Sequence, residues 1–183
     1  MKNVKLVSKI LFIYILSIPI YANNISDIER KLLLGNRYIY QHKYKEAESI
    51  YKNILEINAT YTPALNNLGM LYFFGKGVDK NLTKAVLYLG KSAMQDDKNA
   101  QFYLALSLSQ IDQKIFKDEI LYWIRKSASN GYTKAQVILG LAFIKGDDIN
   151  KDMKKAKYWI HKAMESNSLE ASTIWDKYQL WKY

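Results

Sequence analysis

Ser49 and Lys52 have the most direct potential for catalysis in this chain, because a lysine one helical turn after a serine can activate it as a nucleophile. Serine enzymes with this Ser-x-x-Lys spacing also need an oxyanion hole and partners from other segments. The sequence offers no identifiable residues for those roles, and the tetrapeptide falls on a predicted surface helix, where chance matches are common. We therefore predict no catalytic residues.

An acidic run and two histidines are the candidate metal ligands. Residues 147–152 have the acidic spacing of half a calcium loop, but Met153 stands where such a loop needs glycine. We interpret the run as a solvated turn in which Asp152 caps the next helix. His42 and His161 lie far apart, and two scattered histidines do not make a zinc site. The sequence predicts no metal and no cofactor.

Two asparagines are candidates for N-glycosylation. Asn58 and Asn81 each begin an Asn-x-Thr acceptor, and each follows an acidic residue by two positions. This spacing is similar to the extended acceptor sequence of bacterial N-glycosylation, which modifies exported proteins. Both asparagines fall in predicted connections between helices, where a glycan has room.

The N-terminus has the features of a secretory signal peptide in the usual order. A lead containing Lys2, Lys5 and Lys9 precedes an apolar run, residues 10–20, and a polar stretch begins after Ala22. We predict cleavage near Ala22 and a periplasmic or secreted protein. An uncleaved anchor is the alternative, although the run is short for a membrane span of about 20 residues.

Composition limits the classes of partner. The net charge is +10, of which the predicted signal carries three, and the other lysines are scattered over the body rather than clustered. This scatter in an exported chain argues against a nucleic-acid partner, and it is compatible with an anionic membrane surface without specifically indicating one. Because the chain has no cysteine, its stability must come from packing alone.

The elements that position these residues are repetitive. Ala64, Ala100, Ala135 and Ala171 follow one another at steps of 36, 35 and 36 residues. Self-similarity at this period indicates a stack of helical hairpins in which each unit covers the apolar face of its neighbour. Only two Pro and eight Gly leave little room for loops. We therefore predict an all-α solenoid, and we expect a monomer.

Each repeat is predicted to contain two helices joined by a short turn. Gly69 and Gly140 stand inside a first helix, where glycine costs about 1 kcal/mol relative to alanine. We therefore expect the paired helix to pass close to them. Gly75 and Gly146 are expected to end these helices in the left-handed conformation. The second repeat has only Asp112 near this place, so its turn should be built differently.

The residue pattern of these repeats resembles that of the Sel1-like repeat family, a relative of the tetratricopeptide repeat. The pattern runs Ala, Leu-Gly, Tyr, Gly-x-Gly-Val, Lys-Ala, Trp or Tyr, and Lys-Ala-Ala. Residues 64–171 match it almost throughout in the first repeat, largely in the third, and in the second half of the second. The resemblance implies a right-handed α-α superhelix and adaptor roles such as scaffold, regulator, assembly factor or toxin-neutralising partner.

With this resemblance the chain divides into four segments. They are a signal peptide (1–22), a tetratricopeptide-like repeat (23–63), three Sel1-like repeats (64–99, 100–134 and 135–171, together 64–171) and a C-terminal capping helix (172–183). In the last segment four apolar side chains recur at helical spacing: Ile174, Trp175, Tyr178 and Trp181.

One exported branch of the family is rich in cysteine and is linked to penicillin binding and β-lactamase activity. The resemblance implies that in this branch a Cys pair eight residues apart joins neighbouring hairpins. None of the matching positions is cysteine here, which weakens any transfer of that activity. The pairs are Ala93 and Gln101, Ala128 and Gln136, and Met164 and Ser172.

The first helix of each tetratricopeptide-type unit lines the concave side, and its inward positions are unusually apolar here. We predict that they form a partner-binding groove, in which Asn66 and Gln110 pair with a peptide backbone. Its residues are Asn66, Met70, Phe73, Phe74, Phe102, Leu106, Gln110, Leu141 and Lys145. The alternative is that a tightly curled stack uses these side chains as core.

The function predicted from the sequence is therefore that of an exported, non-catalytic scaffold that binds a protein or peptide of the cell envelope in this groove. A rigid, preformed groove limits the entropy lost on binding. A penicillin-binding or β-lactamase-like hydrolase and a toxin-neutralising immunity protein are the alternatives.

Overall fold

The computed structural model describes residues 26–183, so the predicted signal peptide lies outside the described residues. Within this range the chain forms nine α-helices and no strand, and none of these helices is long and apolar enough to cross a bilayer. The helices are α1 (Asp27–Tyr40), α2 (Tyr44–Ile57), α3 (Thr62–Phe74), α4 (Leu82–Ala93), α5 (Lys98–Asp112), α6 (Lys117–Ser129), α7 (Thr133–Lys145), α8 (Met153–Glu165) and α9 (Leu169–Lys177), followed by a 3-10 turn, Leu180–Lys182. The predicted all-α class is confirmed.

Consecutive helices pack against one another in chain order. Four hairpins, α1–α2, α3–α4, α5–α6 and α7–α8, follow one another, and α9 packs on α8. Each second helix also contacts the first helix of the next hairpin, and α3 contacts α5. The four alanines that mark the repeat are fully buried. The stack of hairpins expected from their spacing is therefore confirmed.

Close packing within the hairpins explains the glycines inside the first helices. A Cβ added at Gly69 or Gly140 would lie 2.6 Å from a side-chain carbon of Leu89 or Ile160 on the paired helix. Real Cβ atoms do not approach other atoms so closely. A Cβ added at Gly35 of α1 would likewise lie 2.6 Å from a side-chain carbon of Tyr51 on α2. The expectation that a partner helix passes close to these glycines is confirmed.

The turns after the first helices follow two designs. Gly75 and Gly146 end α3 and α7 with φ of +66° and +80°, as expected. Helix α5 ends without glycine, because the Asp112 carboxylate accepts hydrogen bonds from the backbone N–H groups of Lys114 and Ile115 at 2.9 and 3.0 Å. The expectation that the turn of the second repeat is built differently is thus confirmed.

Buried glutamines join the second hairpin to the third and the third to the fourth. Gln101 Nε2 donates to the Ala93 carbonyl and Gln136 Nε2 to the Ala128 carbonyl, both at 3.2 Å. These are two of the three position pairs at which the cysteine-rich branch implies a disulfide. In this chain, hydrogen bonds therefore connect the helices at two of the positions where that branch has disulfides.

The C-terminal segment covers the end of the stack. The helical spacing of apolar residues in the sequence predicts a helix that continues to Trp181. Helix α9 instead ends at Lys177, and Gln179 has a φ of +49°, which interrupts the helix. Leu180 is consequently fully buried, whereas Trp181 is 50% exposed. The main buried side chain of the terminal turn is therefore Leu180, which the helical spacing does not single out.

Candidate binding surface

The residues predicted for the groove lie on α3, α5 and α7 and differ in burial. Phe73 and Phe102 are core residues, with 6% and 4% of their surface exposed, whereas Phe74 is 46% exposed. The other members are partly or fully exposed: Asn66, Met70, Leu106, Gln110, Leu141 and Lys145. Two of the predicted groove residues are therefore core, and the accessible apolar surface centres on Phe74.

Beside Phe74, an open depression lies between the first hairpin and α3. It has a volume of about 130 Å³, and its walls include Ile39, Tyr44, Met70, Phe74 and Lys76. Lys76 Nζ lies 5.5 Å from the ring centroids of both Tyr44 and Phe74. An apolar side chain next to an acidic group would match the walls and the charge of this depression. We refer to it as the Phe74 pocket.

Aromatic packing fixes the ring of Phe74. It makes edge-to-face contacts with Phe73 and Tyr103, at centroid distances of 4.9 and 5.6 Å. Tyr103 also contacts Phe102, whose ring packs against Tyr132 at the start of α7. Burial raises the pKa of Tyr132 to about 12, so this side chain stays neutral at physiological pH. A row of rings thus joins three hairpins and holds the exposed edge of Phe74 in place.

The two amides of the predicted groove differ in their hydrogen bonds. Gln110 Oε1 accepts a bond of 2.9 Å from Lys80 Nζ. Asn66 Oδ1 is buried and has no hydrogen-bond partner among residues 26–183, which costs about 1–3 kcal/mol. The equivalent positions of the next two repeats hold the buried apolar residues Phe102 and Val137. The packing of the helices therefore does not require an amide at position 66.

A second depression, not predicted from the sequence, lies between α6 and α7. It has a volume of about 100 Å³, and its apolar wall includes Ile138 and Ala142. Lys117 and Asp148 form an ion pair of 3.2 Å at its edge. Ile138 and Asn67 occupy equivalent positions two repeats apart, because 71 residues separate them. Asn67 lines the Phe74 pocket, and Ile138 lines this second depression. The repeat offset is the sequence signal that could have located this second site.

Lys52 is paired with an acid rather than with Ser49. Ser49 is exposed on α2, and Lys52 Nζ forms an ion pair with Glu48, one turn earlier. The hydrogen bond with Glu48 raises the pKa of Lys52, so the amine stays protonated and cannot serve as a base near neutral pH. This ion pair therefore does not support nucleophilic chemistry at Ser49.

The acidic run and the histidines make structural contacts. Asp152 caps α8 by accepting a hydrogen bond of 3.0 Å from the backbone of the third helical residue, as expected. His42 Nδ1 lies 2.8 Å from the hydroxyl of Tyr44, and His161 on α8 lies 3.3 Å from Glu165. In the part of the chain that the structure describes, no group of three or more His, Cys, Asp or Glu residues is arranged to hold a metal ion.

The two candidate glycosylation sites lie at helix ends. Asn58 is exposed directly after α2, and its Oδ1 accepts hydrogen bonds from the backbone N–H and the hydroxyl of Thr60. Asn81 is half-buried, and its Oδ1 caps α4 through the N–H of Lys84 at 2.9 Å. Exposure therefore favours Asn58 as an acceptor.

A family model described as the Sel1 repeat matches residues 62–97 and 133–168. These two segments contain the α3–α4 and α7–α8 hairpins, in which glycine ends the first helix. The intervening hairpin, whose turn is built by Asp112, lies outside both matches.

Two solved structures have a similar fold. One is a protective antigen present in uropathogenic Escherichia coli strains and displaying an SLR fold, with a TM-score of 0.70 and 28% identity over 79% of this chain and 32% of that chain. The other is a Sel1 repeat protein from Oxalobacter formigenes, with a TM-score of 0.61 and 29% identity over 74% of this chain and 53% of that chain. The present chain thus spans about a third and about half of these two proteins.

Proposed function

We propose that this chain is an exported scaffold that binds a protein or peptide of the cell envelope. The proposal is supported by the two hairpins that match the Sel1 repeat model, because Sel1 repeat proteins generally mediate protein–protein interactions. The proposed site is the Phe74 pocket together with the adjoining exposed residues of α3. The export part of the proposal is based on the signal-like residues 1–22.

The observation that supports this site most strongly is the state of Phe74. Its ring is 46% exposed, yet contacts with Phe73 and Tyr103 hold it in one place. Aromatic side chains in such positions dominate the binding energy of many interfaces, and a preformed position reduces the entropy lost on association. Lys76 beside the ring adds a positive charge that favours an acidic group of the partner.

The non-catalytic part of the proposal is supported by the repeat fold, which is typically a scaffold. The ion pair between Lys52 and Glu48 adds to this support, because it removes the base from Ser49. Purified protein is expected not to hydrolyse the β-lactam nitrocefin. Turnover that disappears in Ser49→Ala would instead favour a hydrolase.

Photo-crosslinking in living cells tests the proposed site. With p-benzoylphenylalanine in place of Phe74, irradiation should join the chain to a defined envelope protein. The matched control carries the same group in place of Ile57, which has a similar exposure of 52% but lies at the end of α2. Equal cross-linking from both positions, or none from position 74, would overturn the proposed site. A defined partner that resides in the cytoplasm would contradict the export part alone.

A further inference from the structure

Helix α8 carries the largest positive charge of the helices between residues 26 and 183. It contains four lysines and a single acid, Glu165, at its last position. Lys154, Lys157 and Lys162 lie on one side of the helix, where they line an open depression of about 550 Å³. Glu165 and Tyr183 also line it, and Lys162 Nζ donates to Glu165 at 3.0 Å. With three lysines and one glutamate, this surface carries a net charge of +2.

Aromatic side chains accompany these lysines. Tyr158 of α8 is 53% exposed, and Trp181 and Tyr183 of the terminal segment are 50% and 52% exposed. The terminal segment is held next to the helix, because Lys157 Nζ donates to the Trp181 carbonyl at 3.5 Å. We call the surface formed by Lys154, Lys157, Tyr158, Lys162, Trp181 and Tyr183 the terminal patch.

The same combination continues along the outer side of the earlier second helices. Tyr122 of α6 and Leu87 of α4 precede Tyr158 by one and two repeats, and both are 52% exposed. Lys126 and Lys91 precede Lys162 in the same way. Helices α4, α6 and α8 thus each present one half-exposed apolar side chain and a lysine one turn further. Such a row of exposed side chains suits an extended flat partner better than a single peptide.

We propose that the terminal patch binds the surface of an anionic phospholipid bilayer. Lysines near such a surface are attracted by its negative potential. Tyrosine and tryptophan are the residue types that concentrate at the boundary between headgroups and hydrocarbon. The association proposed here is peripheral. The patch does not include the Phe74 pocket, so the inference goes beyond the proposed scaffold function.

Co-sedimentation with vesicles tests the proposal. The experiment uses residues 23–183, which contain the complete described fold, because the apolar run at residues 10–20 would bind lipid by itself. We expect binding to vesicles that contain phosphatidylglycerol, weak binding to pure phosphatidylcholine, and loss of binding at high salt. A lysine near an anionic surface contributes roughly a fivefold change in partition.

Replacement of all three patch lysines by glutamine, K154Q/K157Q/K162Q, should therefore weaken binding by about a hundredfold. The matched control, K45Q/K114Q/K134Q, removes the same charge at three exposed lysines outside the patch and should bind within a few-fold of the wild type. In the wild type, bromine-labelled lipid should quench tryptophan fluorescence, and Trp181→Phe should lose part of this quenching. Circular dichroism confirms that each variant is folded.

Three results would overturn the proposal. Equal weakening of both triple variants would show that overall charge, not the patch, attracts lipid. Equal binding to neutral vesicles would remove the electrostatic argument. Binding to polyglutamate without binding to anionic vesicles would assign the patch to an acidic polypeptide.

Discussion

At the scale of single residues, Asn66 has an environment that folding alone does not explain. Its Oδ1 is buried without a partner among the described residues, and the next two repeats hold Phe102 and Val137 at the same position. Asn66→Val is therefore expected to raise the free energy of unfolding by about 1 kcal/mol. Urea denaturation should show a higher midpoint with an unchanged slope. A lower midpoint would contradict this prediction, because it would mean that the fold depends on the amide.

Two helical glycines should respond to alanine in opposite directions. A Cβ at Gly69 would lie 2.6 Å from Cγ and 3.1 Å from the backbone nitrogen of the fully buried Leu89, whereas a Cβ at Gly90 would meet no atom within 4 Å. We expect Gly69→Ala to destabilise the protein by about 1–3 kcal/mol through overpacking. Gly90→Ala should stabilise it by about 0.5–1 kcal/mol through helix propensity. Melting temperatures that move in the same direction would contradict the close packing of α3 on α4.

The ion pair of Glu48 should make stability depend on pH. Burial alone would raise the pKa of this carboxyl, but hydrogen bonds from Lys52 and Tyr72 outweigh burial and hold the pKa below the usual 4.5. A lowered pKa in the folded state stabilises the protein above pH 4.5, and this contribution is lost as the pH falls through the lower, folded-state value.

The variant Glu48→Gln should therefore be less stable than the wild type at neutral pH. It should also lose less stability than the wild type when the pH is lowered from about 7 to about 3. Urea midpoints measured across this range give the comparison. Parallel curves for the two proteins would show that the carboxylate contributes nothing specific.

At the scale of the elements, the hydrogen bond from Gln136 of α7 to the carbonyl of Ala128 of α6 shows where a disulfide between these two helices should fit. Gln136 is the better of the two glutamines to replace, because its own Oε1 is buried without a partner in the described residues, whereas Gln101 Oε1 accepts from Asn130 at 3.0 Å. In the cysteine-rich branch of the family, the resemblance implies a disulfide at the matching pair of positions, which this chain lacks.

Ala128→Cys/Gln136→Cys is expected to form a disulfide on oxidation. Closing a loop of about nine residues should stabilise the oxidised protein by roughly 2–3 kcal/mol relative to the reduced form of the same variant. Thiol titration and melting with and without reductant measure both effects. Failure to oxidise while the protein remains folded would show that α6 and α7 meet differently from the hairpins of the cysteine-rich branch.

Much of the architecture could be predicted from the sequence, because its strongest constraints are local or strictly periodic. Glycines inside first helices indicate close helix pairs, and glycines after them indicate left-handed helix ends. The sequence left open whether Phe73 and Phe102 are groove or core residues, since their burial depends on how closely α3, α5 and the start of α7 approach one another. Leu180 escaped prediction because the positive φ of Gln179 changes the side-chain direction just before it.

At the scale of the whole molecule, the solenoid is continuous. Two apolar clusters, one in each half, share partly buried residues at their boundary, among them Tyr103, Leu106 and Trp123. Repeats that contact only their neighbours can still form one stiff body when such side chains bridge adjacent units. A stiff body can present the Phe74 pocket to one partner while α8 and the terminal segment present the terminal patch to another.

Partner capture and thermal stability of Phe74→Glu, measured side by side, test the central claim most directly. The side chain is nearly half exposed, so the account predicts a melting temperature lowered by no more than about 4 °C together with loss of the captured protein. Ile57→Glu, of similar exposure, should keep both properties. Unfolding of Phe74→Glu, or capture equal to that of the wild type, would contradict the account.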